Sequence, residues 1–309
     1  MAVLQMQRIS ICALKHDRKA ILEKLQSMGM IEMHQVAQDE AGFEKMDTQS
    51  AKSSFEKRVQ ITENALDVLN QYTPEKKSMF ASLEGNELID KKTMEAAAAK
   101  QEAVMEVAGL LIADHKKIAE AQAEIVKRNT QIEALTPWMS LEVAMNYPGT
   151  KKTVMLLGTM AAETTLEMIY GKLAEDHPEI EAVDISVISQ DKDAVYLSVF
   201  CMKDQAADVE NTLRTAGFSR PVVSTEQIPA KQKAKKEELE EQIRQIEQTI
   251  ADIRGEIISY AEDREELKII GDYYRMRAEK YEVLGTLPQS RRTVIISGYA
   301  AKEAIPAIQ

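Results

Sequence analysis

The apolar positions of this chain change period several times, and each change marks an element. In QRISICAL, Ile9, Ile11 and Ala13 alternate with Arg8, Ser10 and Cys12, the two-residue repeat of a strand with one covered face. Asp17 then opens a helix over Arg18–Met28, with Ile21, Leu22 and Leu25 on its buried side. Gly29 stops that helix, because a glycine just past a helix end takes the left-handed conformation without steric cost. MIEMHQV alternates again, with Ile31, Met33 and Gln35 opposite Glu32, His34 and Val36. A right-handed crossover through the helix predicts these two strands in one parallel sheet.

A helical period follows. Phe55, Val59, Thr62, Leu66 and Leu69 step by four and three, Pro74 and LEGN break the pattern, and helix resumes near Lys92. Val104, Ala108, Leu111, His115, Ile118, Gln122, Ile125, Asn129 and Ile132 continue the alternation until Thr136-Pro137 ends it. The break leaves two options: Phe55–Leu69 folds back as a third helix, or one long helix is merely interrupted.

The stretch from Lys151 to Thr225 is a compact α/β unit. TVMLLGTM reads as a strand, Glu163–Glu175 as a helix, Ile180–Ser189 as a strand, QDKD as a turn and Ala194–Met202 as a strong strand. Asp204 is expected to cap a further helix that Gly217 ends, and FSRPVV closes the unit as a short strand. The order is that of a ferredoxin-like sandwich. Beyond it, Leu239, Ile243, Ile246, Ile250, Ile253, Ile257, Tyr260 and Leu267 fall on one seven-residue series among Glu, Gln, Lys, Arg and Asp, the pattern of a coiled-coil helix. RRTVIISGYA is a last strand.

These periods divide the chain into residues 1–50 (first part of a proximal lobe), 51–140 (first coiled-coil arm, broken near 73–90), 151–225 (distal α/β lobe), 229–284 (second arm) and 291–309 (closing strand of the proximal lobe). The first and last strands of a ferredoxin-like unit are neighbours, so the helices entering and leaving it are forced side by side and antiparallel. Their narrow apolar seams then cover each other, since one such helix would not stand alone in water. The expected fold class is α+β: a dumbbell of two α/β lobes, the distal one ferredoxin-like, joined by a long antiparallel two-helix coiled coil.

Composition narrows the function. The chain has 309 residues, 44% hydrophobic and 29% charged but only 5% aromatic, which excludes wholesale disorder and suits long solvated helices. A net charge of −11 argues against general nucleic-acid binding. Cys12 and Cys201 cannot make a disulfide framework; each is expected as a small buried residue on a strand. No run approaches a membrane span, and the start lacks the apolar stretch of a secretory signal.

Catalytic motifs are missing. YPGTKKT lacks the first glycine and the Gly-Lys-Ser/Thr core of a phosphate loop, and no dinucleotide-binding glycine pattern, C-x-x-C or H-x-x-x-H occurs. His16, His34, His115 and His177 sit in four different elements. His16 and Asp17 are adjacent and are not expected to face one another, Asp17 serving as a helix cap. His115, Gln122 and Asn129 are expected as seam polars that fix register rather than as ligands or a pH sensor. Trp138 is expected to anchor the junction of arm and lobe. The basic start of KQKAKKEELEEQ could meet an acidic partner or a membrane, but the immediate switch to Glu makes it a solvated helix start. No catalytic, cofactor-binding or metal residue is assigned, and no cofactor is expected.

Four strings in order, QRISICALKHDRKAILEKLQSMGMIEMHQV, TPWMSLEVAM, TVMLLGTM and RRTVIISGYA, resemble the cytoplasmic N-terminal half of subunit I (subunit a) of the rotary V/A-type ATPases. One departure is that members often carry Gly-Trp and a proline after the last strand, whereas Gly298 is followed here by Tyr299 and Ala300. The resemblance implies a non-catalytic stator subunit. It would link the membrane ion channel mechanically to the peripheral stalks and support ATP-coupled transport of protons or sodium ions. The implied partners are peripheral-stalk subunits E and G, a rotor-cap subunit of C/d type, and the membrane rotor ring through a C-terminal domain not in this sequence. No small-molecule substrate or nucleic acid is implied, and the location is the cytoplasmic face of a membrane complex. Docking is expected on the exposed face of the distal sheet or on its helices. Because the family's proximal lobe continues with a further helix and strand, Thr293–Tyr299 is expected to lack a following strand partner and to leave an unprotected edge or an apolar patch. Two other classes fit the same outline: a ferredoxin-like small-molecule sensor on a rod, and an SMC-like coiled-coil protein. The second needs a phosphate loop in the N-terminal half, and none occurs.

Overall fold

The computed structural model describes residues 4–33, 44–75, 89–221 and 232–308. It divides into two compact units, one of Met1–Lys116 with Arg254–Gln309 and one of Lys117–Ile253.

In the first unit, β1 (Met6–Leu14), α1 (Arg18–Met28) and β2 (Ile31–Met33) follow the predicted order, and Gly29 ends α1 at φ 62°. The two strands are not neighbours. β6 (Thr293–Ala301) lies between them, antiparallel to both, with Ile11 opposite Ile296 and Ile31 opposite Ala300. The crossover through α1 leaves a gap one strand wide, and the returning C-terminal strand fills it. This overturns the expectation that Thr293–Tyr299 would lack a following strand partner: it is paired on both sides, and the open edges among the described residues are the outer sides of β1 and β2. The approach of β2 is close at Gly298, where a Cβ would stand 2.4 Å from the Glu32 carbonyl oxygen. Leu22, Leu25, Leu284, Leu287, Val294 and Ile296 form the core on one face. On the other face Ser10 and Ser297 share a hydrogen bond of 2.8 Å, and Cys12 is exposed rather than buried.

Three long helices complete this unit. α2 (Gln49–Tyr72) runs antiparallel to α8 (Arg264–Thr286): Lys52 meets Glu282 at one end, Arg264 holds Thr73 at the other, and Phe55 packs on Tyr274 and Tyr281 between them. α3 (Lys91–Ala99) leads into α4 (Gln101–Leu135) through a kink at Lys100, φ −98° and ψ 8°. The start of α4 joins the bundle through Arg58–Glu102 at 3.2 Å and Lys100–Glu266 at 2.7 Å. The segment 51–72 therefore folds back as a third helix; LEGN lies outside the described residues.

In the second unit, β3 (Thr153–Ala161), α5 (Leu166–Asp176), β4 (Val183–Gln190), β5 (Ala194–Met202) and α6 (Ala206–Thr215) form an antiparallel sheet of order β3-β5-β4 with its helices on one face. Its last strand is a single antiparallel bridge beside β3. Ser219 and Thr159 exchange backbone hydrogen bonds of 2.8 and 2.9 Å, and Val222 and Val223 lie outside the described residues. Gly158 admits this segment: a Cβ there would stand 2.1 Å from Phe218 Cζ. Both sheets share one plan, with the third strand in sequence placed between the first and second. α6 begins without a side-chain cap from Asp204; Gln205 occupies the cap position.

α7 (Gln232–Ser259) passes through a 3-10 turn, Tyr260–Asp263, into α8, so the predicted continuous helix from Leu239 to Leu267 is interrupted. Every member of its apolar series is buried or half-buried. The fold class is α+β, two α/β units with long helices, as the sequence predicts.

Candidate docking site

The second face of the distal sheet is already occupied. Leu135, Trp138, Met145, Met155, Leu157 and Leu239 form one cluster against it, with Ile132, Ile188, Tyr196 and Phe200 around them. Trp138, 2% exposed, stands edge-on to Tyr196 with ring centroids 5.3 Å apart, the anchoring role its position predicts. Hydrogen bonds fix the same junction. Ser189 Oγ donates to the Pro137 carbonyl and Ser140 Oγ to the Ile188 carbonyl, both at 2.7 Å, and Gln232 Nε2 donates to the Leu141 carbonyl. Leu239 on α7 thus shares one buried cluster with Leu135 on α4. The expectation of an exposed sheet face is corrected: it is the seat of the helix ends.

The edge strand β4 is protected as well. The Ile185 N–H donates to the Tyr170 hydroxyl at 2.9 Å, and the register shifts between Val187 and Ser189. Hydroxyl capping and a bulge both discourage strand addition. The unit leaves to solvent the outer side of α5 and α6, where Met168 is 61% exposed, as well as Val187 on β4 and Val126 on α4. α5 is tied at its start by Thr165, whose hydroxyl accepts from the Met168 N–H.

α6 is held to the closing segment by charge. Glu210 accepts from Arg220 Nε at 2.8 Å and Nη2 at 2.9 Å, and from Arg214 at 2.7 Å. The Arg220 hydrogen bond holds the Glu210 carboxyl below its usual range against the opposing effect of burial, with smaller help from Arg214. A depressed carboxylate stabilises the fold above its unfolded value, near pH 4.3, and loses that contribution as pH falls through the folded value. E210Q is therefore expected to cost about 1 kcal/mol at pH 7, since both arginines are half-exposed. The difference from wild type should vanish in acid, as read by urea melts across pH.

The polar members of the first seam separate. His115 is half-buried, edge-on to Tyr72, whose hydroxyl lies 3.2 Å from Nδ1. Gln122 and Asn129 are exposed, and Ala121 and Arg128 take their places in the buried stripe. The stripe turns where the end of α4 at Leu135, and Trp138 in the 3-10 turn after it, pack on the sheet.

In the first unit a cleft of about 530 Å³ lies between α1, α3 and α8. Its charges are committed to the protein: Lys280 to Glu23, Arg277 to the Tyr273 hydroxyl at 2.9 Å, and Asp90 to the Thr93 N–H at the start of α3. The hydrogen bond and charge of Lys280 hold the Glu23 carboxyl below its usual range. His16 Nε2 does meet Asp17, at 3.1 Å, contrary to expectation; Asp17 makes no side-chain cap, and both side chains are at least half-exposed. Among the described residues no three His, Cys, Asp or Glu side chains are grouped to hold a metal ion, and no helix is long and apolar enough to cross a membrane. His34 lies outside the described residues.

No family model matches the sequence, and no curated protein matches it. Among solved structures, the chain is similar to the cytoplasmic N-terminal domain of subunit I, the homolog of subunit a, of a V-ATPase. The likeness covers 97% of this chain and 95% of that one, with a TM-score of 0.53 and 16% sequence identity. The fold of this chain is that of the cytoplasmic N-terminal domain of V-ATPase subunit I.

Proposed function

We propose that the chain is the cytoplasmic part of a stator subunit in a rotary V/A-type ATPase. The observation that carries this proposal is the fold likeness to subunit I along almost the whole of both chains. The order of sequence strings and the rigid junctions support it. A stator needs stiffness along its length and grip at its ends. Helices that cover each other's apolar seams resist bending far better than a flexible linker, and Trp138 and Arg264 fasten helix ends to what they touch. In this proposal the chain has no catalytic role. It lies on the cytoplasmic face of the membrane and transmits torque between the ion channel and the peripheral stalks.

The distal unit docks the lower end of an E–G stalk through the outer side of its helices, since its sheet face is occupied. The proximal unit meets a second stalk and the C/d-type rotor cap. The subunit reaches the rotor ring through the membrane domain such subunits carry, and thereby supports ATP-coupled proton or sodium transport. The test is affinity purification of the tagged subunit from membranes solubilised in mild detergent. Subunits E and G are expected in stoichiometric yield together with the catalytic head; recovery without any ATPase subunit would overturn the proposal.

A further inference from the structure

The two sheets correspond position by position, save for one member. In the second unit the Lys203 N–H, just after β5, donates to the Lys152 carbonyl, just before β3, at 2.8 Å. In the first unit the Lys302 N–H, just after β6, donates to the Gln5 carbonyl, just before β1, at 2.9 Å. Thr153 lies opposite Met202, and Met6 opposite Ala301. Counted from these pairs, Cys12 holds in β1 the place that Thr159 holds in β3. Thr159 turns its N–H and carbonyl outward, to Ser219. Cys12 is oriented alike. Its opposite residue, Ile295, sends its N–H away to the Pro288 carbonyl at 3.0 Å, so the pair exchanges no hydrogen bonds. Outward groups recur at every second residue, so Arg8, Ser10 and Cys12 each turn an N–H and a carbonyl to the open side of β1. No backbone partner takes them among the described residues.

This edge is unguarded. Its pairing with β6 runs without a bulge from Met6–Ala301 to Leu14–Thr293. MQRISICAL has no proline and no lysine, its one charge is Arg8, and every residue in it is exposed or half-buried. β4 in the other sheet has a bulge and a tyrosine hydroxyl, and β2 is only three residues long. A long edge without such protection is a template for strand addition.

The strand that fits it is its own copy. Turned antiparallel about Ser10, MQRISICAL meets itself with Ser10 opposite Ser10, Arg8 opposite Cys12 and Ile9 opposite Ile11. The outward groups then close two hydrogen bonds in each of the three pairs that Arg8, Ser10 and Cys12 form. Ile9 and Ile11, half-buried on the helix side of the sheet, cover each other twice. No like charges stand opposite. Centring on Arg8 would set arginine against arginine, and centring on Cys12 would shorten the overlap to Ser10–Leu14.

We propose that β1 is a self-association edge: two copies of the chain pair their Met6–Leu14 strands antiparallel about Ser10, joining two three-stranded sheets into one. This does not rest on the stator proposal. The contact is small and belongs to the weak, reversible class.

The test is sedimentation velocity of the purified, reduced chain across the micromolar range. A monomer–dimer equilibrium is expected. S10P removes the central N–H, which faces the second copy and not β6, and should weaken dimerisation at least about tenfold with an unchanged circular-dichroism spectrum. S10A loses the same side-chain bond to Ser297 but keeps the N–H, and should stay within about twofold of wild type. Oxidation reads the register. R8C should form a disulfide with Cys12 of the second copy, because opposite residues lie within disulfide reach. Wild-type chains should not couple: their Cys12 residues would stand about 14 Å apart, and Cys201 is buried. A chain that stays monomeric throughout would overturn the proposal. So would a dimer that survives S10P or is lost as fully in S10A. Failure of R8C to couple with Cys12, or coupling of wild-type chains through Cys12, would overturn it as well.

Discussion

W138A is expected to destabilise the second unit by about 3–5 kcal/mol, the usual cost of emptying a buried tryptophan site. The indole is 2% exposed and fills the junction where the end of α4 meets Tyr196 and the second face of the sheet. Its removal leaves Leu135, Met155 and Leu157 facing a void, and the neighbouring backbone cannot close it without breaking the Ser189–Pro137 hydrogen bond. W138F should recover part of the loss, since a phenyl ring still reaches Tyr196. Trp138 is the single tryptophan of the chain, so wild-type fluorescence reports this junction directly, and the variant must be followed by circular dichroism in urea. A cost below about 1 kcal/mol would mean that the helix end is not fastened there.

R264M should cost about 3 kcal/mol in the other unit. Arg264, 7% exposed, donates to the Leu69 and Thr73 carbonyls, the Thr73 hydroxyl and the Asn70 side chain, and pairs with Glu75 at 3.7 Å. It thereby satisfies the C-terminal end of α2 from the first residue of α8. Methionine keeps the packing volume but takes the Arg264 donor from the Thr73 carbonyl and the Asn70 side chain, the costly half of breaking a hydrogen bond, while the Leu69 carbonyl keeps the Thr73 N–H. Hydrogen exchange should accelerate over Leu66–Tyr72 and remain unchanged in β3–β5. Uniform acceleration across both units would contradict a local clamp.

Local periodicity made much of this fold legible, and long-range pairing did not. Gly29 marked the end of α1 because its left-handed backbone is a local requirement. The alternation in QRISICAL placed Arg8, Ser10 and Cys12 on one face correctly. Nothing in the segment, however, tells that this face stays open, and hence that Cys12 is exposed. The position of β6 between β1 and β2 depends on residues some 270 positions apart, beyond any local pattern. The Tyr260–Asp263 turn carries no proline or glycine; it coincides with the place where Arg264 reaches the end of α2, a tertiary cause. Gln122 and Asn129 fell on the extrapolated seam only because a strict seven-residue series ignores the turning of α4 onto the sheet. The candidate site was half legible: the sheet was clear in the sequence, but covering of its second face depends on Trp138 and Leu239 meeting across the residues between them.

The helical bundle of the first unit requires α8 to lie against α2 and α3 of the same molecule. Zero-length carbodiimide coupling of an equal mixture of light and heavy-nitrogen chains tests this directly, because Lys100 Nζ and Glu266 Oε1 are 2.7 Å apart. Lys100–Glu266 cross-linked peptides should be wholly light or wholly heavy. Mixed light–heavy peptides at this pair would show that the helices associate between chains, and that result would contradict a bundle formed within one chain.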